Sequence, residues 1–266
     1  MKLSRKMILS VVFIVLLTTS GIVIWMQSMN KFKLTMNAVG QGTVSASPSQ
    51  ANYDYGSVVQ ITAKPSAGWV LNRWSGDASG TASSISVTMN GDKAVTANFT
   101  KMEVVILETT MGNIEIELDH VHAPITVANF LSYVKTGFYD GTLFHRVYAN
   151  FVIQGGGYTS DGVEKTTSNP IKLESNNGLK NLVGTIAMAR TDLPNSATSQ
   201  FFINLVDNTF LDYASSSKPG YAVFGKVVSG IDVVNKIASV EVETRASIFE
   251  KWPIEDIIIN KAYLKP

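Results

Sequence analysis

No cysteine occurs among the 266 residues. That excludes disulfides, thiolate chemistry and the cysteine-based zinc sites. It does not fix the compartment, because a domain above about 100 residues can rest on its own core without disulfides. An excess of one charge is also missing: 22 Lys and Arg stand against 21 Asp and Glu, a formal net charge of +1. Phosphate binding needs a concentrated basic surface, so nucleic acid is not an expected partner. Histidine is scarce, at three residues. His120 and His122 sit beside Asp119 in a polar stretch that reads as a turn before a helix rather than as metal ligands. No metal and no cofactor are expected.

Long apolar runs are absent with one exception. Met7 to Met26 is uncharged and follows Lys2, Arg5 and Lys6. Its length suits a helix crossing a hydrocarbon core of about 30 Å, and its basic flank favours a cytoplasmic N-terminus. Residues 1–30 therefore read as a basic flank and signal anchor, placing a single-pass protein in the cell membrane with the rest of the chain outside. Thr18 and Ser20 leave open a cleaved signal peptide and a secreted product. In both readings residues 31–266 are exported.

From about Lys31 to Thr100 the composition shifts to Gly, Ser, Thr, Ala and Val. Leu34 and Met36, Val44 and Ala46, Ile61 and Ala63, Ile85 to Met89, and Val95 to Phe99 alternate with period two, the spacing of one strand face. Asn90-Gly91-Asp92 is a tight-turn signal of the hairpin kind. The expected product is a small all-β module with Trp69, Trp74 and Phe99 in its core. The segments GQGTVSASP, YDYGSVVQITAKPSAGWVLNRWSGD and TMNGDKAVTANF resemble the divergent InlB-type B-repeat of prokaryotic surface proteins. That resemblance implies a β-grasp-like extracellular module without catalysis, serving as a spacer or as a binding element.

A second domain is expected over residues 101–266. Val104 to Leu107 and Ile114 to Leu118 read as strands joined by a turn at Thr110 to Asn113. Val127, Phe130, Leu131 and Val134 have the spacing of one buried helix face, introduced by Pro124 and ended by Gly137. A second helix is expected from about Ile231 to Ala238, and a last strand over Ile257 to Ile259. Many strands with one early and one late helix point to a mainly β fold, a closed barrel capped by two helices.

Three stretches of this domain, FHRVYANFVIQGGG, GTIAMART and SQFFINLVDNTFLD, together with GYAVFGKVVSG, resemble the cyclophilins in family order. The resemblance implies an eight-stranded antiparallel barrel capped by two helices and peptidyl-prolyl cis/trans isomerase activity on proline-containing polypeptides. It implies that Arg146 is the catalytic guanidinium, that Phe151 shapes the proline pocket, and that Gln154 orients the arginine. Val152, Met188, Phe202 and Leu211 match further pocket positions, and Ala189 and Gln200 match the peptide groove. His145, one residue from Arg146 in an extended strand, would point the other way and reads as a satisfied interior histidine.

Some positions depart from the eukaryotic pattern. Phe210 replaces the rim tryptophan, Tyr221 replaces a histidine, Arg190 stands where asparagine is common, and Val152 replaces a methionine. Without the indole donor, strong cyclosporin binding is not expected. The implied function is folding assistance for exported proteins at X–Pro bonds. Two alternatives are a proline-peptide-binding chaperone and a surface adhesion module, each with incidental isomerase activity.

Overall fold

The computed structural model describes residues 31–245 and 249–266. The expected membrane anchor, residues 1–30, lies outside the described residues. None of the described helices is long and apolar enough to cross a membrane. The chain divides into two compact units after Lys101.

The first unit consists of β1 (Lys31–Phe32), β2 (Leu34–Val39), β3 (Gly42–Ser47), β4 (Tyr53–Asp54), β5 (Val58–Pro65), β6 (Trp69–Gly76), β7 (Ser84–Thr88) and β8 (Lys93–Lys101). Two three-stranded sheets, β2-β8-β6 and β3-β5-β7, bury one core between them. The alternating residues face that core: Ile61, Ala63, Val87, Met89, Val95, Ala97 and Phe99 are buried there with Trp74. Trp69 is only half-buried against it. The hairpin expected around Asn90-Gly91-Asp92 does not form, because β7 pairs with β5 whereas β8 pairs with β2 and β6. Met89 diverts the chain: its N–H and C=O bond back to Ser57 and Gly56, so the turn passes from one sheet to the other. The grasp-like feature is the parallel pairing of β2 with β8; no helix occurs among the described residues of this unit.

The second unit holds β9 (Glu103–Thr109), β10 (Gly112–Leu118), α1 (Pro124–Lys135), β11 (Arg146–Tyr148), β12 (Val152–Gly155), β13 (Thr185–Met188), β14 (Phe201–Asn204), β15 (Val223–Ser229), α2 (Ile231–Ala238), β16 (Val242–Arg245), β17 (Phe249–Pro253) and β18 (Ile259–Leu264). Eight of these strands form one antiparallel sheet in the order β11-β12-β14-β13-β15-β10-β9-β18. It curls into a half-barrel rather than closing as a continuous ladder. Its edges, β11 and β18, meet through the residues ahead of β11 and the start of β18: Leu143 bridges Ile258, the Phe144 N–H bonds the Ile257 carbonyl at 3.0 Å, and the Ile259 N–H bonds the Thr142 carbonyl at 2.7 Å.

Helix α1 buries Val127, Phe130, Leu131 and Val134 as their spacing predicts, with Phe130 packed against Phe201 and Phe224. Its first-turn N–H groups, at Ile125 and Thr126, are capped by the distant Glu174 carboxylate at 3.1 and 2.8 Å. A carboxylate there also suits the positive end of the helix dipole. The last strand starts at Ile259, later than expected, and the β16–β17 hairpin was not foreseen.

Candidate active site

Antiparallel register sets Arg146 opposite Gln154, Gln154 opposite Phe202, Phe202 opposite Ala187, and Ala187 opposite Val223. Side chains alternate between sheet faces, so this row lies on the outer face. The adjacent row, Val147, Ile153, Ile203 and Ile186, enters the barrel core. On the outer face Val152, Ala187, Phe202 and Val223 form a small apolar cluster of their own, joined by Phe151, Ala189, Leu211 and Tyr221.

A pocket of about 300 Å³ opens over this cluster. Arg146, Phe151, Val152, Gln154, Ala189, Phe202, Leu211 and Tyr221, all expected from the sequence, line it, and Arg190 joins them. Phe210 stands at the rim, 73% exposed, with its ring stacked on Phe151 at 5.8 Å and 18°. Gln200 sits behind Gln154 and bonds to it. Met188 does not belong to the site. Period two turns it inward with Phe201, and it is 1% exposed in the barrel core; its neighbour Ala187 joins the outer-face apolar cluster instead.

Two loops complete the walls. Leu211 ends a short 3-10 turn, and its carbonyl accepts the Tyr221 N–H at 2.9 Å. Gly220 permits this closure: its φ is +62°, and a Cβ would stand 2.5 Å from the Leu211 carbonyl oxygen. Arg190 braces the same loop. Its Nε donates to the Gly220 carbonyl at 2.9 Å, and its guanidinium lies 4.6 Å over the Tyr221 ring.

Arg146 is half-buried and forms no ion pair among the described residues. Its guanidinium lies 5.7 Å over Tyr148 and 5.9 Å over Phe151, and Nη1 donates to Gln154 Oε1 at 3.4 Å. The charge is thus held by π faces and one amide, leaving donors free toward the pocket. The described residues that line the pocket include no serine, threonine, lysine or carboxylate.

His145 points away from the pocket, buried edge-on against Tyr158 at 4.8 Å and near Trp252 at 6.0 Å. Its interior position matches expectation, but its Nδ1 makes no hydrogen bond among the described residues. Burial first, and the Arg146 charge second, lower its pKa to about 4. Asp119 accepts the N–H groups of Val121 and His122 and pairs with the His122 ring at 2.8 Å, forming the expected polar turn.

Sequence reasoning missed a buried amide network beneath the pocket. Asn208 Nδ2 donates to the Phe151 carbonyl at 2.9 Å and to Asn204 Oδ1 at 2.8 Å. Asn204 in turn reaches Thr185 Oγ1 at 2.9 Å and Asn181 Oδ1 at 3.3 Å, and Asn181 meets Asp212. These residues tie the Phe151 turn to the loop carrying Leu211. The available signal was Asn204, a lone polar residue in the apolar run Phe201 to Val206; Asn208, between Asp207 and Thr209, gave none.

Residues 104–264 match the family model described as cyclophilin type peptidyl-prolyl cis-trans isomerase/CLD, and residues 32–103 match the divergent InlB B-repeat domain. Among curated proteins, the chain is 52% identical to peptidyl-prolyl cis-trans isomerase A of Dickeya dadantii, covering 59% of this chain and 82% of that protein. It is 51% identical to peptidyl-prolyl cis-trans isomerase B of Escherichia coli, covering 59% and 96%. Among solved structures, a cyclophilin type isomerase of Cryptosporidium parvum superposes with a TM-score of 0.52 at 26% identity, over 62% of this chain and 98% of that one. The same protein was also solved in the presence of the dipeptide Ala-Pro, with a TM-score of 0.51.

Proposed function

This chain belongs to the cyclophilin type peptidyl-prolyl cis-trans isomerases and is one of these enzymes; on that footing we propose that Arg146 drives the rotation while the apolar cluster holds the proline ring. Rotation about an X–Pro bond faces a barrier of about 18–20 kcal/mol because the amide is conjugated. In the twisted transition state that conjugation is lost, and the prolyl nitrogen becomes pyramidal with a lone pair. A donor that meets this lone pair stabilises the twisted form alone, which is the condition for raising kcat. Arg146 is the group placed for it: permanently charged, planar, unpaired with any described carboxylate and set at the wall of the pocket.

Phe151, Val152, Phe202 and Leu211 supply apolar surface for the ring, and Gln154 steadies the guanidinium. Ala189, Gln200, Phe210 and Tyr221 border the groove where flanking peptide would lie. The observation that carries this assignment is the cross-strand row of Arg146, Gln154 and Phe202 on one face. Its test is isomerisation of a proline tetrapeptide by Arg146→Ala. Loss of a charge-assisted donor used only in the transition state lowers kcat by about tenfold to a hundredfold; unchanged kcat overturns the role.

The substrates we propose are X–Pro segments of exported proteins folding outside the cytoplasmic membrane. The support is the basic flank and apolar run of residues 2–26 and the similarity of residues 32–103 to a B-repeat, which here would act as a spacer. Membrane fractionation with the intact mass of the mature N-terminus tests this; a soluble cytoplasmic chain of full mass overturns it.

A further inference from the structure

We propose that Glu164 is a positioning residue for Arg146, acting through two glutamine amides; the proposal rests on the role given to Arg146 above. Glu164 faces Tyr158 across an antiparallel bridge. The turn between them is closed by the Thr159 N–H to the Val163 carbonyl at 3.0 Å and the Gly162 N–H to the Thr159 carbonyl at 2.9 Å. This places the Glu164 carboxylate beside Gln200, whose Nε2 donates to Oε1 at 3.2 Å. Gln200 Oε1 accepts from Gln154 Nε2 at 2.9 Å, and Gln154 Oε1 accepts from Arg146 Nη1 at 3.4 Å.

The two ends of this chain permit one polarity. A guanidinium only donates and an ionised carboxylate only accepts, whereas each amide carries one donor group and one acceptor. With an acceptor at the far end, Gln200 turns its NH2 to Glu164 and its oxygen to Gln154. Gln154 then turns its NH2 to Gln200 and its oxygen to Arg146. Turning one amide alone sets NH2 against NH2 or oxygen against oxygen. Without Glu164 only the 3.4 Å contact to the guanidinium still holds that polarity, and a joint flip of both amides would present the Gln154 NH2 to Arg146 and push it from its place. The contact to Arg146 is the longest in the chain, so it depends most on which amide atom faces it.

The test is isomerisation of a proline tetrapeptide by the full chain carrying Glu164→Ala or Glu164→Gln, each alone and combined with Arg146→Ala. Glutamine keeps an acceptor of equal reach but no longer dictates polarity. Losing one neutral hydrogen bond's worth of transition-state positioning lowers kcat about three- to tenfold in Glu164→Ala and about twofold or more in Glu164→Gln. KM and Tm stay at wild-type values, and neither substitution adds a loss on the Arg146→Ala background. Wild-type kcat in Glu164→Gln overturns the proposal, as does an equal loss with Arg146 already removed. Full activity in Arg146→Ala alone overturns the catalytic role of Arg146 itself, which separates the two failures.

Discussion

Gln200 fills the space in which Gly157 would carry a side chain: a Cβ there would stand 2.7 Å from Gln200 Cγ and 2.8 Å from its Nε2. The backbone of Gly157 therefore acts as the back wall of the amide chain that reaches Arg146. Gly157→Ala displaces a flexible side chain rather than backbone, so Tm changes little. Breaking the Gln200 to Gln154 link should lower kcat about three- to tenfold. Steady-state kinetics beside a thermal melt checks both halves.

Asn208 joins the Phe151 carbonyl to Asn204, and both asparagines are buried at 2% exposure or less. Asn208→Ala leaves the buried Asn204 Oδ1 without its donor, while the Phe151 carbonyl keeps the Leu205 N–H; the orphaned acceptor costs about 1–3 kcal/mol of stability. It also loosens Phe151, so KM rises with kcat less affected. Urea unfolding and peptide kinetics measure the two effects.

Phe210 is mostly exposed yet stacks on Phe151. Phe210→Ala should change stability by less than about 0.5 kcal/mol while weakening substrate binding at the rim. Phe210→Trp supplies an indole donor at that edge and should tighten cyclosporin binding at least about tenfold, roughly one charge-free hydrogen bond plus added contact area. Calorimetric titration of both variants reads the result.

His145 ties stability to pH. Burial holds its pKa at about 4, against an ordinary value of 6.5. Below pH 6.5 the unfolded chain takes up a proton that the native chain refuses, so stability falls as pH drops from 6.5 toward 4 and is fully present above that window. The integrated loss is up to about 3 kcal/mol. Unfolding free energies across this range should show the slope, and His145→Phe should flatten it.

Arg146, Gln154 and Phe202 were legible through the resemblance of ordered segments to the cyclophilins, and period two, a local property of a strand, accounts for their sharing one face. The same rule, applied strictly, removes Met188, since Met188 shares a face with the buried Ile186 and not with Ala187. Glu164 was not legible. It lies in an irregular loop, and its meeting with Gln200, 36 residues on, depends on how β12 and β14 bring that loop across the sheet. Asn204 was visible as a polar residue in an apolar run, Asn208 between Asp207 and Thr209 was not, and only packing shows which partner each finds.

By itself the sequence determined the local elements. Proline, glycine and the spacing of apolar residues set α1 and α2, alternation set the strands, and four ordered segments carried the arginine proposed as catalytic and the residues of its pocket. Tertiary structure alone decided the partnerships. It sent β7 and β8 to different sheets because Met89 bonds back to Gly56 and Ser57. It left the barrel joined by a short seam between the residues ahead of β11 and the start of β18. It also gave the amide chain its direction, since Glu164 can only accept and Arg146 can only donate. Hydrogen-bond partners far apart in sequence are chosen by register and burial, and neither is written in any one window of residues.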